Sequence, residues 1–575
     1  MNAQVTRQER LTWLNENTLT YQTNIKKKHF LNVLGGITFQ NSDYEIYSFR
    51  TTHIPNESLG MAGMSEGQAG TTTSAKSSWA MLSYLGRVTY NYMSKYYATV
   101  SFRADGSSKF NKDNRYGYFP SGSLAWSFSE EEFMKPLKSV LSSGKVRLSW
   151  GLTGNNRIGE YDYYALLAVL KSRVGSYTST NSLPSGVYPF DNDATNAGVV
   201  PTSLPNKDLK WETTEQWNAG LDLGFFDNRL NLSADLFIRD TKDMLVPGKM
   251  LPGVYGATPP KENAANLRTK GFELAVSWYD QFNLGNKPFS YNLSFGLSDS
   301  KSVITKFDNP MKEFAKSSYY EGMTIGEIWG YKIDGLFQTD EEAAAYAKAV
   351  DNSYVCENIF VTAVGDYKGL QAGDPRYVDI DGSGRIDDGE KTADNRGDMV
   401  IIGNKEPRYL YNANIGLSWN GIDISAFFQG VGRQHRYPDG NNMMFWGGFA
   451  RPYSSFVPAN FLDNVWSEEN PNAYLPKIRG YAAQGNRSLA HKNDRYLQNI
   501  AYCRLKNLTV GYTLPTEWTS KIKLDRLRVY FSGDNLFTWT KLKSDYIDPE
   551  QITVNSDART YPFSKVFSFG LDITF

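Results

Sequence analysis

The chain has 575 residues with 61 basic and 61 acidic side chains, so its formal net charge is zero and it lacks the basic field that a nucleic-acid partner would need. Its length exceeds one ordinary globular domain, yet no Pro/Gly/Ser linker divides it. No apolar run reaches the roughly 18 residues of a membrane-crossing helix, which leaves transmembrane strands open because their signal is weak per segment. Aromatic residues make up 14% of the chain, with 37 tyrosines and 13 tryptophans, a supply that suits barrel girdles or a carbohydrate-binding surface.

Two period-two segments, 11–24 and 30–40, flank a short basic turn at Lys26, Lys27 and Lys28. A polar, Gly- and Ser-rich passage over 41–79 loses the period and reads as a long connection. Segments 82–92 and 96–103 form the next hairpin, followed by 116–128, a short helical stretch at 130–142, and 145–153. After a long loop, 212–225 and 229–240 turn on Asp227-Asn228, and 271–280 with 289–300 repeat the pattern. The pair 409–419 and 422–430 meets at Asn420-Gly421, the dipeptide with the strongest hairpin preference. Segments 502–513 and 527–539 precede the last strand, VFSFGLDITF over 566–575. There Phe567, Phe569, Leu571, Ile573 and Phe575 alternate with Ser568, Gly570, Asp572 and Thr574, so one face is apolar throughout.

That last strand has the roughly 9 to 11 residues a tilted strand needs to cross a bilayer, and in lipid only a closed barrel gives every strand two hydrogen-bonding neighbours. About fifteen strands are expected, with connections alternating short and long, the asymmetry of outer-membrane barrels with tight periplasmic turns and long external loops. The fold class is therefore all-β: an antiparallel transmembrane β-barrel, present in part, with the apolar faces toward lipid and Asp572 and Thr574 toward the lumen. The amino terminus, MNAQVTRQERLTW, has no apolar h-region, so for an exported protein the chain reads as an amino-terminally incomplete piece, with unpaired edges at its first and last strands.

Several stretches resemble the SusC/RagA-like TonB-dependent outer-membrane transporters of Bacteroidota: ENTLTY at 16–21, GRVTYNYMSKYYATVSFRADGSSKF at 86–110, VRLSWGLTGNN at 146–156, LKWETTEQWNAGLDLGFFDNRL at 209–230, GYKIDGLFQ at 330–338, SGDNLFTWT at 532–540, and the terminal strand. The resemblance implies a barrel of about twenty-two strands around a plug, of which residues 1–575 would supply about fifteen. It also implies a TonB-contacting segment ahead of the plug, a SusD-like lipoprotein over the external mouth, outer-membrane lipid around the wall, and a glycan or peptide as substrate.

The region 302–405 reads as a long external loop, and within it DIDGSGRIDDGE over 379–390 fits the twelve-residue calcium-loop template. Asp379, Asp381 and Ser383 fall at places 1, 3 and 5, Gly384 at the turn, the Arg385 carbonyl at 7, Asp387 at 9 and Glu390 at 12. These groups are expected to converge on one structural Ca²⁺, whose loose shell of six to eight oxygens tolerates such a ring better than magnesium does. The alternative is a solvated Asp/Gly turn. Aromatic clusters at Trp329 and Tyr331, and at Tyr437, Phe445, Trp446 and Tyr453, are candidates to contact a ligand or the lid protein, or else pack the loops internally.

The scattered histidines, His29, His53, His435 and His491, and the two cysteines, Cys356 and Cys503, suggest neither a metal centre nor a disulfide framework. No nucleophile, histidine and acid arrangement, phosphate-cradling loop or hydrolytic carboxylate pair stands out, so no enzyme activity is expected. TonB-energised nutrient import is the leading function, and an external glycan-binding β protein or adhesin without transport is the alternative.

Overall fold

A computed structural model describes residues 1–169, 199–248, 252, 257–314, 319–356, 369–453, 457, 459–485, 487–544, 546–553, 561 and 563–575. Among them, fifteen strands form one sheet: β1 (Ala3–Ile25), β2 (His29–Thr52), β3 (Gln68–Tyr92), β4 (Tyr96–Ser107), β5 (Tyr116–Trp126), β6 (Leu141–Asn155), β7 (Glu212–Phe225), β8 (Leu230–Pro247), β9 (Lys261–Leu284), β10 (Lys287–Lys306), β11 (Arg408–Trp419), β12 (Ile422–Arg433), β13 (Tyr502–Thr513), β14 (Arg526–Thr540) and β15 (Val566–Thr574). Hydrogen-bonded order is chain order, so every connection is a hairpin or a loop between neighbours, and β1 and β15 stand at the two ends of the order.

Backbone conformation explains the tight turns. Lys26 and Lys27, Met93 and Ser94, Gly285 and Asn286, and Asn420 and Gly421 each supply two consecutive residues with positive φ, the twist of a type I′ turn that matches the right-handed twist of the flanking strands. These turns are the first, third, ninth and eleventh of the fourteen connections in the sheet, and the long connections 307–407, 434–501 and 541–565 are the tenth, twelfth and fourteenth; the fifth and thirteenth, 127–140 and 514–525, carry short helices instead of a two-residue turn. The alternation read from the sequence is therefore present.

The reading of 41–79 as a loop is corrected. Strands β2 and β3 run on through most of it, in register from Asn41↔Ala80 to Phe49↔Thr72, and close only at 53–67. A strand pair above the apolar band has water on both faces, so no hydrophobic alternation marks it; ladder hydrogen bonds and cross-strand pairs such as Lys76 Nζ to Glu45 Oε1 (2.6 Å) hold it instead.

The chain divides into two compact units. The first comprises Met1–Glu131, Val146–Ala219 and Ile238–Arg268; its small core sets Phe110 and Phe119 against Trp211, with ring centroids 5.3 and 5.5 Å apart, beside Ile158 and Leu209.

The second unit, Glu132–Lys145, Gly220–Phe237 and Thr269–Phe575, shows how the wall sorts its side chains. Register aligns Ile424, Val510, Phe531 and Phe569 across β12 to β15, and Ile422, Tyr512, Val529 and Leu571 in the next row. Phe569 is 82% exposed and Leu571 63% exposed, so this face is no sandwich core; it is the lipid-facing side of the wall. The alternate rows carry Ser425, Thr509, Ser532 and Ser568, and beside them Arg528 bridges Asp423 (2.6 Å) and Asp572 (2.9 Å). Gly511 makes the bridge feasible, because a Cβ there would sit 2.6 Å from both the Arg528 guanidinium and Asp423.

The sorting predicts that Phe569→Arg costs about 2–4 kcal/mol if it lies near the bilayer midplane, whereas Ser568→Asn, on the opposite face, stays within about 1 kcal/mol. Urea unfolding of the full chain in phospholipid bilayers measures both.

Candidate functional site

Three long loops of the second unit fold together rather than separately. Segment 307–407 contributes Phe337, Val355, Cys356, Tyr377 and Ile386, segment 434–501 contributes Phe445, Trp446, Phe449, Leu489 and Tyr496, and segment 541–565 contributes Leu542, Ile547 and Ile552, all to one buried cluster. Short ladders brace it: Glu327–Gly330 with Val400–Asn404, Ile333–Leu336 with Pro375–Tyr377, and His435–Arg436 with Gln498–Asn499. A helix, α1 (Asp340–Ala349), starts where the N-cap Thr339 accepts from the Glu342 N–H (3.1 Å), while the Glu342 carboxylate accepts from the N–H of Gln338 (2.7 Å), the residue ahead of the cap.

A buried ion pair ties the first loop to the second. Arg479 donates from Nε and Nη2 to the two oxygens of Asp374, both at 2.7 Å, and Asp374 is 1% exposed. Burial pushes the Asp374 carboxyl above its ordinary range, and the Arg479 charge opposes that shift. The third loop is held likewise: Arg504, also buried, meets Asp548 (2.5 Å) and Glu550 (2.8 Å).

This packing corrects most of the aromatic candidates. Tyr331, Phe445 and Trp446 are buried in the shared core, and Tyr437 packs against it with its hydroxyl donating to the Leu489 carbonyl (2.8 Å). Trp329 stacks on Phe314 with ring planes 5° apart. Tyr453 alone of the six is strongly exposed, at 79%. Tyr331, Tyr437, Phe445 and Trp446 carry structure because the loops, too large to lie flat, need their own hydrophobic core.

The acidic loop is rearranged relative to the template. Carboxylate oxygens of Asp379, Asp381 and Asp398 lie within 4.8 Å of one another. Asp398, eight residues beyond the motif, is fully buried and accepts from the N–H groups of Ile380 (2.6 Å) and Asp387 (2.9 Å); burial pushes its carboxyl up, against those donors. Asp379 accepts from Gly382 (2.8 Å) and Gly384 (2.9 Å), and Gly384 has φ 76°. Asp387 and Glu390 stay outside the group. Asp387 accepts from the Gly389 N–H (2.8 Å) and faces Arg385 (3.6 Å), and Glu390 is exposed. Ser383 donates its hydroxyl to the Arg385 carbonyl (3.0 Å), so two template ligands satisfy each other. The loop also docks on the segment after α1, where Asp351 N–H donates to the Gly384 carbonyl (2.8 Å) and Ile386 N–H to the Asp351 carbonyl (2.9 Å). No periodicity points to Asp398; the tertiary fold brings it in.

A family profile described as TonB dependent receptor-like, beta-barrel, matches residues 2–536. The chain belongs to that family. It is an outer-membrane β-barrel protein of the SusC/RagA type. It is similar to TonB-dependent receptor P3 of Formosa agariphila, 30% identical over 98% of this chain and 52% of that receptor, and to TonB-dependent receptor SusC of Bacteroides thetaiotaomicron, 29% identical over 86% of this chain and 44% of SusC. Among solved structures it shares its fold with the RagAB peptide transporter at a TM-score of 0.72, with 22% identity over 100% of this chain and 56% of that one. The chain thus spans about half the length of these relatives.

The ion pair between loops yields a direct expectation. Arg479→Leu strands Asp374 as a buried unpaired charge at a cost of about 3–5 kcal/mol, so amides of 369–377 and 473–482 should exchange hydrogen far faster in mass-spectrometric exchange while the wall strands keep their protection.

Proposed function

We propose that this chain is the carboxy-terminal part of the barrel of a TonB-energised importer that brings an oligosaccharide or a peptide across the outer membrane, with a SusD-like lipoprotein at its external face. The observation that supports the reading is that the receptor-family match, over residues 2–536, takes in the two larger loops of the assembly, 307–407 and 434–501, as well as most of the wall. The loops form one packed body with a shared core, a rigid rim of the kind a lid protein needs to seat on. The wall's inner rows are polar, as a water-filled passage requires. The chain spans about half the length of those relatives. Deleting the gene should abolish growth on one polymeric glycan or peptide source while growth on its monomers continues. The barrel purified from its native outer membrane should bring a lipoprotein with it. Unchanged growth on every polymer, with no co-purifying lipoprotein, would contradict the proposal.

We further propose that the acidic loop holds Ca²⁺. Asp379, Asp381 and Asp398 would be the direct ligands, hard oxygens in a loose arrangement that water completes, while the Ser383 to Arg385 contact keeps the turn. The ion would offset the mutual repulsion of three carboxylates and stiffen the loop against 350–356. Calcium titration calorimetry on the full chain in detergent should find affinity reduced at least about tenfold, roughly 1.4 kcal/mol, by Asp398→Asn, and unchanged by Glu390→Gln. The reverse order would restore the twelve-residue template, and no heat in the parent would remove the site.

A further inference from the structure

The wall carries one feature that transport does not use, at the tight-turn end of the first unit. The outward face there is built in two cross-strand rows: Tyr90, Ala98, Leu124 and Leu148 on β3 to β6, and Tyr92, Tyr96, Trp126 and Val146 next to them. Ala98 is small among large neighbours, so the rows leave a groove of about 380 Å³ with Ala98 as floor and Tyr90, Tyr96, Leu124, Trp126, Val146 and Leu148 as walls. Those six side chains are all exposed, as apolar side chains on the lipid side of a barrel wall are.

The rim beside the groove is charged. Lys26, Lys27 and Lys28 form the β1–β2 turn, are exposed, and make no ion pair among the described residues. Their turn is locked to the next one by Met93 N–H donating to the Lys28 carbonyl (2.7 Å). On that second turn Lys95 meets Glu131 (3.0 Å), which also accepts from the Tyr96 hydroxyl (2.6 Å) and the Trp126 Nε1–H (3.3 Å). The acidic group at the groove mouth is thus neutralised by Lys95. Glu130 and Glu132 flank it in sequence, so an anion is drawn to the lysine side.

We propose that this place binds an anionic glycerophospholipid of the periplasmic leaflet, an acyl chain lying in the groove over Ala98 and the phosphate headgroup on Lys26, Lys27 and Lys28. The apolar walls offer nothing to a polar solute, and tight turns mark the periplasmic side. Aromatic rings at headgroup depth, with hydroxyls turned to the rim, form the anchor that such a lipid meets. Lysines at a membrane surface attract anionic lipid by about fivefold each, or roughly a hundredfold for three.

The test reconstitutes the full chain in nanodiscs of phosphatidylethanolamine and phosphatidylglycerol at three to one and counts retained lipids by native mass spectrometry. The parent should retain phosphatidylglycerol preferentially. The triple variant K26Q/K27Q/K28Q should lose that preference, and Ala98→Phe, which fills the groove and leaves the lysines intact, should lose retention of either lipid. Equal retention of the two lipids by the parent, or undiminished phosphatidylglycerol on either variant, overturns the proposal. Far-UV circular dichroism monitors folding, and if the triple variant loses its strand signal, Ala98→Phe and the parent preference decide.

Discussion

A backbone inside lipid has no water to bond to, and this one requirement organises the protein. Each wall strand must find its hydrogen bonds on its neighbours, which explains why the order of strands is simply the order of the chain. Once pairing is fixed, pleating sends alternate side chains to opposite faces, and register turns that alternation into rows. The row through Ile424, Val510, Phe531 and Phe569 and the serine and threonine row next to it are consequences of one ladder. A shift of a single residue would carry every phenylalanine to the water side. The bridge from Asp423 through Arg528 to Asp572 spans four strands and is compatible with one register only.

Beyond the membrane the constraint lapses, and ordinary soluble-protein physics takes over. The long loops bury aromatic and aliphatic side chains in a common core and join across it with bidentate charge pairs such as Asp374 with Arg479. A buried pair of this kind adds little net stability compared with apolar packing, but it penalises any arrangement that separates the partners. It therefore fixes how the loops meet.

The same division explains what was legible in the sequence. Period two across the terminal strand and the Asn420-Gly421 turn are local chemistry, and both stand as read. The outer halves of β2 and β3 were illegible because strands with water on both faces need no alternation. Trp446 and Phe445 could not be placed from composition, since an aromatic residue in a loop is the same letter whether it faces a ligand or a core. The acidic loop was half legible: the motif holds Asp379 and Asp381, but Asp398 enters through the tertiary path of 391–398, where Gly397 takes φ 54°, and a twelve-residue template contains no trace of it.

The most direct test of the account is an accessibility scan of β15. Single cysteines at positions 567 to 574, placed in the full chain after Cys356 and Cys503 are replaced by serine, carry a fluorophore in phospholipid bilayers. Lipid-soluble and aqueous quenchers are then compared. The account predicts strict alternation, with 567, 569, 571 and 573 quenched from the lipid and 568, 570, 572 and 574 from the water. Equal quenching along the strand, or the opposite phase, would contradict it.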